Sequence, residues 1–311
     1  MLDLSRPEMP YLEAGLTRQQ HQAKAHELQA AGVYGLTVST IGGAYGPTWP
    51  ANAVHTLDFL EFYPGLRHLH VHLPSLTTLA PLRFVEDTLQ SLYITGFDKA
   101  AKFSLAPIGR CRQLRSLTLT RTPKDLGIVW ELPLLEHLSC TGFRETDLQP
   151  TQALPQLRTL YLGFGGMQSI EVLTHMPNLV ALQVLRTRGL ADLSPLALLQ
   201  QLQFLSVSDL IQVQAWPRCH RLAKLRRVFL DTMNGLTDLQ GLAEAPRLED
   251  LIVINSKIPA AAFTPFAHHR SLQRAQVGLG TAQATRAVQE LLGAKVCAFF
   301  GTALEKFQLT P

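Results

Sequence analysis

Leucine returns along this chain at a nearly constant interval. The pattern L-x-x-L-x-L, with Val, Ile, Ala or Cys allowed at its apolar sites, starts at Leu66, Leu89, Leu114, Leu135, Leu157, Leu179, Leu202, Leu225, Leu248 and Leu272. Successive copies stand 21 to 25 residues apart. A weaker copy, VYGLTV, begins at Val33. Three further apolar sites precede most copies at nine, six and three residues before the first Leu. Examples are Leu57/Leu60/Tyr63, Leu126/Val129/Leu132, Ile170/Leu173/Met176, Leu193/Leu196/Leu199 and Leu239/Leu242/Ala245. The alternation at the end of the motif predicts a short strand. A spacing of three keeps one face of a helical or 3₁₀ segment inward. One unit is therefore a strand, a turn and a short helical return, stacked on its neighbours.

The polar residues punctuate the same period. Asp125, Asp147, Asp192 and Asp238 stand just before the helical sites, where a carboxylate can accept a free N–H at the start of the turn. Pro64, Pro133, Pro155, Pro177 and Pro246 follow the third helical site and end that segment, having no N–H to donate. An open stack leaves a bare apolar layer at each end and needs caps. Thr17 to Ala31 reads as a helix capped by Thr17 and stopped by Gly32, and residues 281–292 as another stopped by Gly293. AKVCAFFG after it is a candidate for one more strand. The expected division is an N-terminal helical cap over 1–32, repeats over 33–280 and a C-terminal cap over 281–311. About ten extra residues, IGGAYGPTWPANA, interrupt the first unit as a Gly- and Pro-marked loop. Trp49 in it is either a binding residue or a ring tucked over the cap edge.

In period and motif the chain resembles leucine-rich repeat proteins of the short, about 22-residue class, as in bacterial internalins and phosphatase regulatory subunits. The resemblance runs over residues 33–280. It implies an α/β fold, a right-handed horseshoe solenoid with a parallel concave sheet of about eleven strands and short helical or 3₁₀ convex segments. One departure stands out. The family usually places Asn three residues after the last strand Leu, where it bonds along a buried ladder. Those sites here hold Pro74, Phe97, Thr122, Phe143, Gly165, Thr187, Leu210, Met233 and Ser256, so the turn must satisfy its backbone differently.

Strand alternation turns the leucines inward and the residues between them onto the concave face. That face reads His68, His70 and His72, then Tyr93, His137, Tyr161, Phe204, Arg227, Phe229 and Asp231 among hydroxyls, with Ile252 and Ile254 further on. Aromatics and hydroxyls in place of Lys and Glu are the composition of an interface. Eleven strands about 4.8 Å apart give a groove of about 50 Å, room for a standard interface. The three histidines form a line with neighbours about 6.5–7 Å apart, with no carboxylate beside them on the next strand. A contact surface, a pH-sensitive patch and a metal site are all open to them, the last least favoured.

Charge and chemistry narrow the function classes. A net charge of +4 spread along the chain lacks the dense basic stripe of a nucleic-acid binder. Four cysteines (Cys111, Cys140, Cys219, Cys297) show neither metal spacing nor a disulfide framework. The first residues carry no secretory signal pattern and no stretch is long and apolar enough for a membrane span. The expected setting is cytoplasmic, with export without a cleaved signal left open. No nucleophile elbow, P-loop or paired-His metal motif is present. Expected, then, is a monomeric, non-catalytic scaffold without metal or cofactor that holds a protein partner on its concave face. An inhibitor or immunity protein is one form of it. The alternatives are a ligand or metal sensor using His68, His70 and His72, and a secreted effector that binds host proteins.

Overall fold

The computed structural model describes residues 9–40, 49, 55–96, 102–121, 124–144, 154–297 and 309. The chain divides into two compact units, one built on residues 4–143 and the other on residues 158–311. Eleven strands fall at the eleven motif copies, five in the first unit and six in the second. In the first, β1 (Gly35–Ser39), β2 (His68–His72), β3 (Ser91–Thr95), β4 (Ser116–Leu119) and β5 (His137–Thr141) pair in parallel and in chain order. In the second, β6 (Thr159–Gly163), β7 (Ala181–Leu185), β8 (Phe204–Ser208), β9 (Arg227–Asp231), β10 (Asp250–Ser256) and β11 (Arg274–Leu279) do the same.

The register follows from the leucines. Leu36, Leu69, Leu92, Leu117 and Leu138 pair in sequence across the first unit, as do Leu160, Leu182, Leu205, Val228, Leu251 and Ala275 across the second, all essentially out of water. A one-residue slip would put every one of them in solvent, at about 1.5–3 kcal/mol per side chain. The helical-side sites are as dry: Leu57, Leu60, Val129, Ile170, Leu173, Leu239 and Leu242 are buried. Their segments are mostly 3₁₀, as at Asp58–Phe62, Leu126–Glu131, Glu171–His175 and Ser194–Leu198. A single α-helical turn, the first of three short helices in the second unit, replaces them at Gln240–Ala243.

Within each unit, neighbouring coils are bound by a repeated hydrogen-bond device. Two successive amides at the strand entrance donate to one carbonyl of the preceding coil. Gln90 and Ser91 bond Arg67 O, Gln203 and Phe204 bond Val180 O, and Glu249 and Asp250 bond Arg226 O, at 2.7–3.1 Å. At the strand exit a left-handed residue takes over the work of the missing Asn. Phe164, Arg186, Asp209 and Thr232 have φ of 45–55°. Their amides donate to Leu185 O, Ser208 O, Asp231 O and Ile254 O at 2.9–3.1 Å. Ser256 supplies a side-chain version: its Oγ accepts from Met233 N at 3.0 Å and donates to Ile254 O at 2.8 Å. Phe143, Leu210 and Met233 put buried apolar groups at three further sites of that row, and Thr187 is buried there as well. Phe97 and Thr122 lie outside the described residues.

The helical segments are capped by a wider set of residues than the aspartates alone. Asp192 and Asp238 accept from Ser194 N at 2.7 Å and Gln240 N at 2.8 Å, as expected. Thr78, Ser104 and Ser169 do the same for Ala80, Ala106 and Glu171 at 3.0–3.1 Å. Asp125 is a correction: it sits in the left-handed region at φ 64° with no side-chain cap bond, and its carboxylate accepts from Ser104 Oγ of the previous coil instead. Asp147 lies outside the described residues.

The terminal helices form where the caps signal them. α1 (Arg18–Ala30) has a full capping box between Thr17 and Gln20, and Gly32 follows it at φ 68°. Its His21 stacks on Phe62 at 5.2 Å and lies 3.1 Å from the Tyr63 hydroxyl, which docks the helix on the first coil. In the second unit, α2 is the turn at Gln240–Ala243, α3 spans Thr264–Ala267 and α4 spans Ala282–Leu292. Thr281 caps α4 through Ala284 N at 3.1 Å, and Val288 and Leu292 are its buried residues. Lys295 then donates to the carbonyls of Phe266, Ala267 and His269 at 2.8–3.1 Å, closing the end of α3. Val296 bridges Ala275 in parallel, the described part of the expected last strand. Trp49 takes the tucked position: its indole N–H donates to Leu12 O at 2.7 Å and its ring meets His55 and Phe59. Among the described residues no helix is long and apolar enough to cross a membrane.

Candidate binding surface

The outward positions of the strands make one row per unit, and the two rows differ. In the first unit β2 keeps His68, His70 and His72 half-buried while Leu69 and Val71 between them are dry. His70 Nε2 and His72 Nδ1 each lie 3.1 Å from the same Thr95 hydroxyl on β3. One oxygen therefore organises two imidazoles across the strand gap. The His72 ring lies over Gly96, where a Cβ would stand 2.7 Å from it; Gly96 also has φ 92°. Only glycine meets both demands.

His68 differs from its neighbours. Its Nδ1 is buried without a hydrogen-bond partner among the described residues. Burial, with the Arg67 charge beside it, holds its pKa below the ordinary 6.5. Tyr93 meets the His70 ring edge to face at 6.1 Å and is buried, so it supports the histidine instead of standing as an exposed contact. On β5, His137, Ser139 and Thr141 are half-buried, and His137 Nε2 lies 3.8 Å from the Glu136 carboxylate.

In the second unit Tyr161 is half-buried and folds along its own strand. Its hydroxyl would be 2.7 Å from a Cβ at Gly163, and burial raises its pKa. The expectation that Phe204, Arg227 and Phe229 present open contacts is corrected: all three are buried. Phe204 packs with Ala181 of β7 and with Leu309. Arg227 is locked to Asp250, its Nε 2.9 Å from Oδ2, and Arg274 grips the same carboxylate at 2.7 and 2.8 Å. Asp231 is half-buried and accepts from Asn255 Nδ2 at 3.0 Å. Ile252 is fully buried and Ile254 half-buried.

These geometries can be set beside solved proteins. Internalin inlF of Listeria monocytogenes is similar over 83% of this chain and 74% of its own, with 19% identity and a TM-score of 0.57. The fold is that of a leucine-rich repeat protein. Internalin C2 of the same organism (18% identity, 75% and 87% of the two chains, TM-score 0.41) and a leucine-rich repeat protein of Leptospira interrogans (16%, 87% and 81%, TM-score 0.44) are also similar. No protein-family model and no curated protein matches the sequence.

The cysteines of the repeats are packing groups. Cys111, Cys140 and Cys219 are buried, and burial pushes the thiols of Cys111 and Cys219 up to about 12, so they pack as small apolar groups. Among the described residues no three His, Cys, Asp or Glu side chains gather as a metal ion would need. Sequence reasoning sets Thr95 and Asp250 on the concave face without giving either a role, and does not single out Leu309. The first two roles were within reach. Thr95 is an outward position directly beside His72, and the 23-residue step from Leu225 to Leu248 sets Asp250 beside Arg227. Leu309 had no such signal.

Proposed function

We propose that this leucine-rich repeat protein is a non-catalytic scaffold that engages a protein partner on the outward face of its strands. One observation carries the reading. The outward positions of β1–β5 hold only Gly, Ser, Thr, Tyr and His, with no Lys, Arg, Asp or Glu. A surface kept merely for solubility would carry fixed charge. Hydroxyls and imidazoles offer hydrogen-bonding atoms without the fixed charge of Lys, Arg, Asp or Glu, which suits an interface core. The half-buried His70, His72, Thr118, His137 and Ser139 are the contacts expected to matter, with Tyr161 and Asp231 in the second unit.

In the same reading residues 1–32 and 281–311 cap the repeats at 33–280, and the chain acts as a cytoplasmic monomer without cofactor. An inhibitor that covers another protein's working surface is the role such a face fits.

The test is affinity capture from native cell extract with wild type, Thr118→Glu/Ser139→Glu and a control, Glu131→Lys, on the exposed helical side. Equal unfolding midpoints, retained capture by the control and at least about tenfold less partner on the double variant are expected, the scale of a desolvated like charge in an interface. Equal partner recovery from all three chains removes the proposal.

A further inference from the structure

Phe204 begins β8 and points away from the leucine core, yet none of its side chain is exposed. The outer face of a single coil has no second layer of its own, so a ring that dry needs a cover. On the same two strands Ala181, Gln183, Ser206 and Ser208 are also buried, at 1–8% exposure. A described side chain that packs on Ala181 and Phe204 is Leu309, the third residue from the end of the sequence.

The chain can deliver it. Cys297 is tied to β11 by its amide, which donates to Ala275 O at 3.0 Å. Leu309 lies twelve steps along the chain from Cys297, with eleven residues between them, a reach of roughly 40 Å when extended. From β11 to β8 is three strand spacings, about 14 Å. The connecting sequence, AFFGTALEKFQLTP from residue 298, is rich in Phe and Leu and holds one Glu and one Lys, the composition of a ligand more than of a solvated tail.

We infer that the outward face of β7 and β8 is a seat for an apolar peptide, and that its resident ligand is this chain's own last residues, anchored by Leu309 on Ala181 and Phe204. The seat itself depends on no outside partner. That a partner must displace the segment to use this part of the face rests on the proposed function above. An intramolecular ligand lowers the apparent affinity of any competitor by the fraction of time the seat is empty.

Two measurements test it on the full chain. In a Cys297→Ser background, Ala181→Cys and Leu309→Cys are combined and exposed to mild oxidant. A 181–309 disulfide in most molecules, found by peptide mapping, is expected. A folded chain whose two thiols stay open to alkylation overturns the inference. Separately, a fluorescent peptide of residues 298–311 is titrated into wild type and Leu309→Asp. At least about tenfold tighter binding to the variant is expected, because its seat is vacated. Equal affinity for both chains, or binding to neither, overturns it. Loss of partner capture by the strand-face variants has no bearing on either readout, so the two readings fail separately.

Discussion

Arg227 on β9 and Asp250 on β10 form an ion pair whose side chains are 4% and 2% exposed, with Arg274 of β11 closing on the same carboxylate from the other side. Three adjacent strands are thereby tied through one oxygen pair on the outward face. Such a pair is expensive to desolvate, and its net worth is small against an apolar replacement; breaking one member is what costs.

Removing the carboxylate tests this. Asp250→Ala leaves the Arg227 charge buried and is expected to lose about 3–5 kcal/mol in urea unfolding. Adding Arg227→Met to it is expected to restore a good part of that loss, since no buried charge is then stranded on β9. A double variant as damaged as the sum of the singles would contradict the coupling.

The left-handed row makes a prediction of the opposite sign. Thr232 is β-branched and sits at φ 55°, a conformation that costs roughly 1–2 kcal/mol for such a side chain, offset by its amide bond to Ile254 O at 3.1 Å. Thr232→Gly keeps the amide and removes the strain. Thermal unfolding is expected to show a gain of up to about 1 kcal/mol, and a loss would mean that the hydroxyl bond to Asp231 at 2.8 Å outweighs the strain.

Close coil contact is tested at two glycines. A Cβ on Gly241 would stand 2.5 Å from Pro217 O and 2.7 Å from Trp216 O, both backbone atoms of the preceding coil that have little room to retreat. Gly241→Ala is expected to cost about 1–3 kcal/mol. Gly127 has nothing within 4 Å of the same atom, and Gly127→Ala is expected to be neutral or stabilising by about 0.5 kcal/mol. Equal effects in chemical denaturation would contradict the coil spacing.

How much of this was legible in the sequence follows from what each residue has to do. The leucine interval fixed every strand, because a misplaced strand would expose a whole buried row, and Thr17, Gly32 and Gly293 marked the terminal helices by their caps. Asp125 misled because its type suits both an N-cap and a left-handed residue, and only the neighbouring Ser104 decides between them. Arg186, Phe164 and Thr232 gave no turn signal at all, since their conformation is imposed by the ladder to the next coil and not by local preference. On the candidate surface, alternation gave direction but not cover. His70 and His137 stayed half-open as read. Phe204 did not, because Leu309, more than a hundred residues later in the chain, lies on it.

Acid should weaken the fold through its buried and half-buried imidazoles. His269 Nδ1 accepts from Leu272 N at 3.2 Å, which puts its proton on Nε2, 3.0 Å from Ala245 O. Burial, and secondarily the nearby Lys295 charge, holds its pKa below the ordinary 6.5, with the Ala245 carbonyl opposing. His21 and His68 are lowered as well, mainly by burial. The unfolded rings bind protons near pH 6.5 and the folded ones only at lower pH. Below 6.5 the unfolded state therefore holds more protons, and stability falls as pH drops through that window. Urea unfolding at about pH 7.5 and about pH 5.5 should show the loss, and His269→Gln, which can replace both bonds without titrating, should reduce it. An unchanged pH slope in that variant would contradict the assignment.

The claim that matters most is that the outward strand face meets a protein. Its most direct test is site-specific photo-crosslinking in native extract, with the reactive group placed at Ser139 on that face or at Glu131 on the helical side of the same unit. A discrete protein adduct from position 139 and none from 131 is the result the account predicts. An adduct from 131 alone, or none from 139 while the chain remains folded, would contradict it.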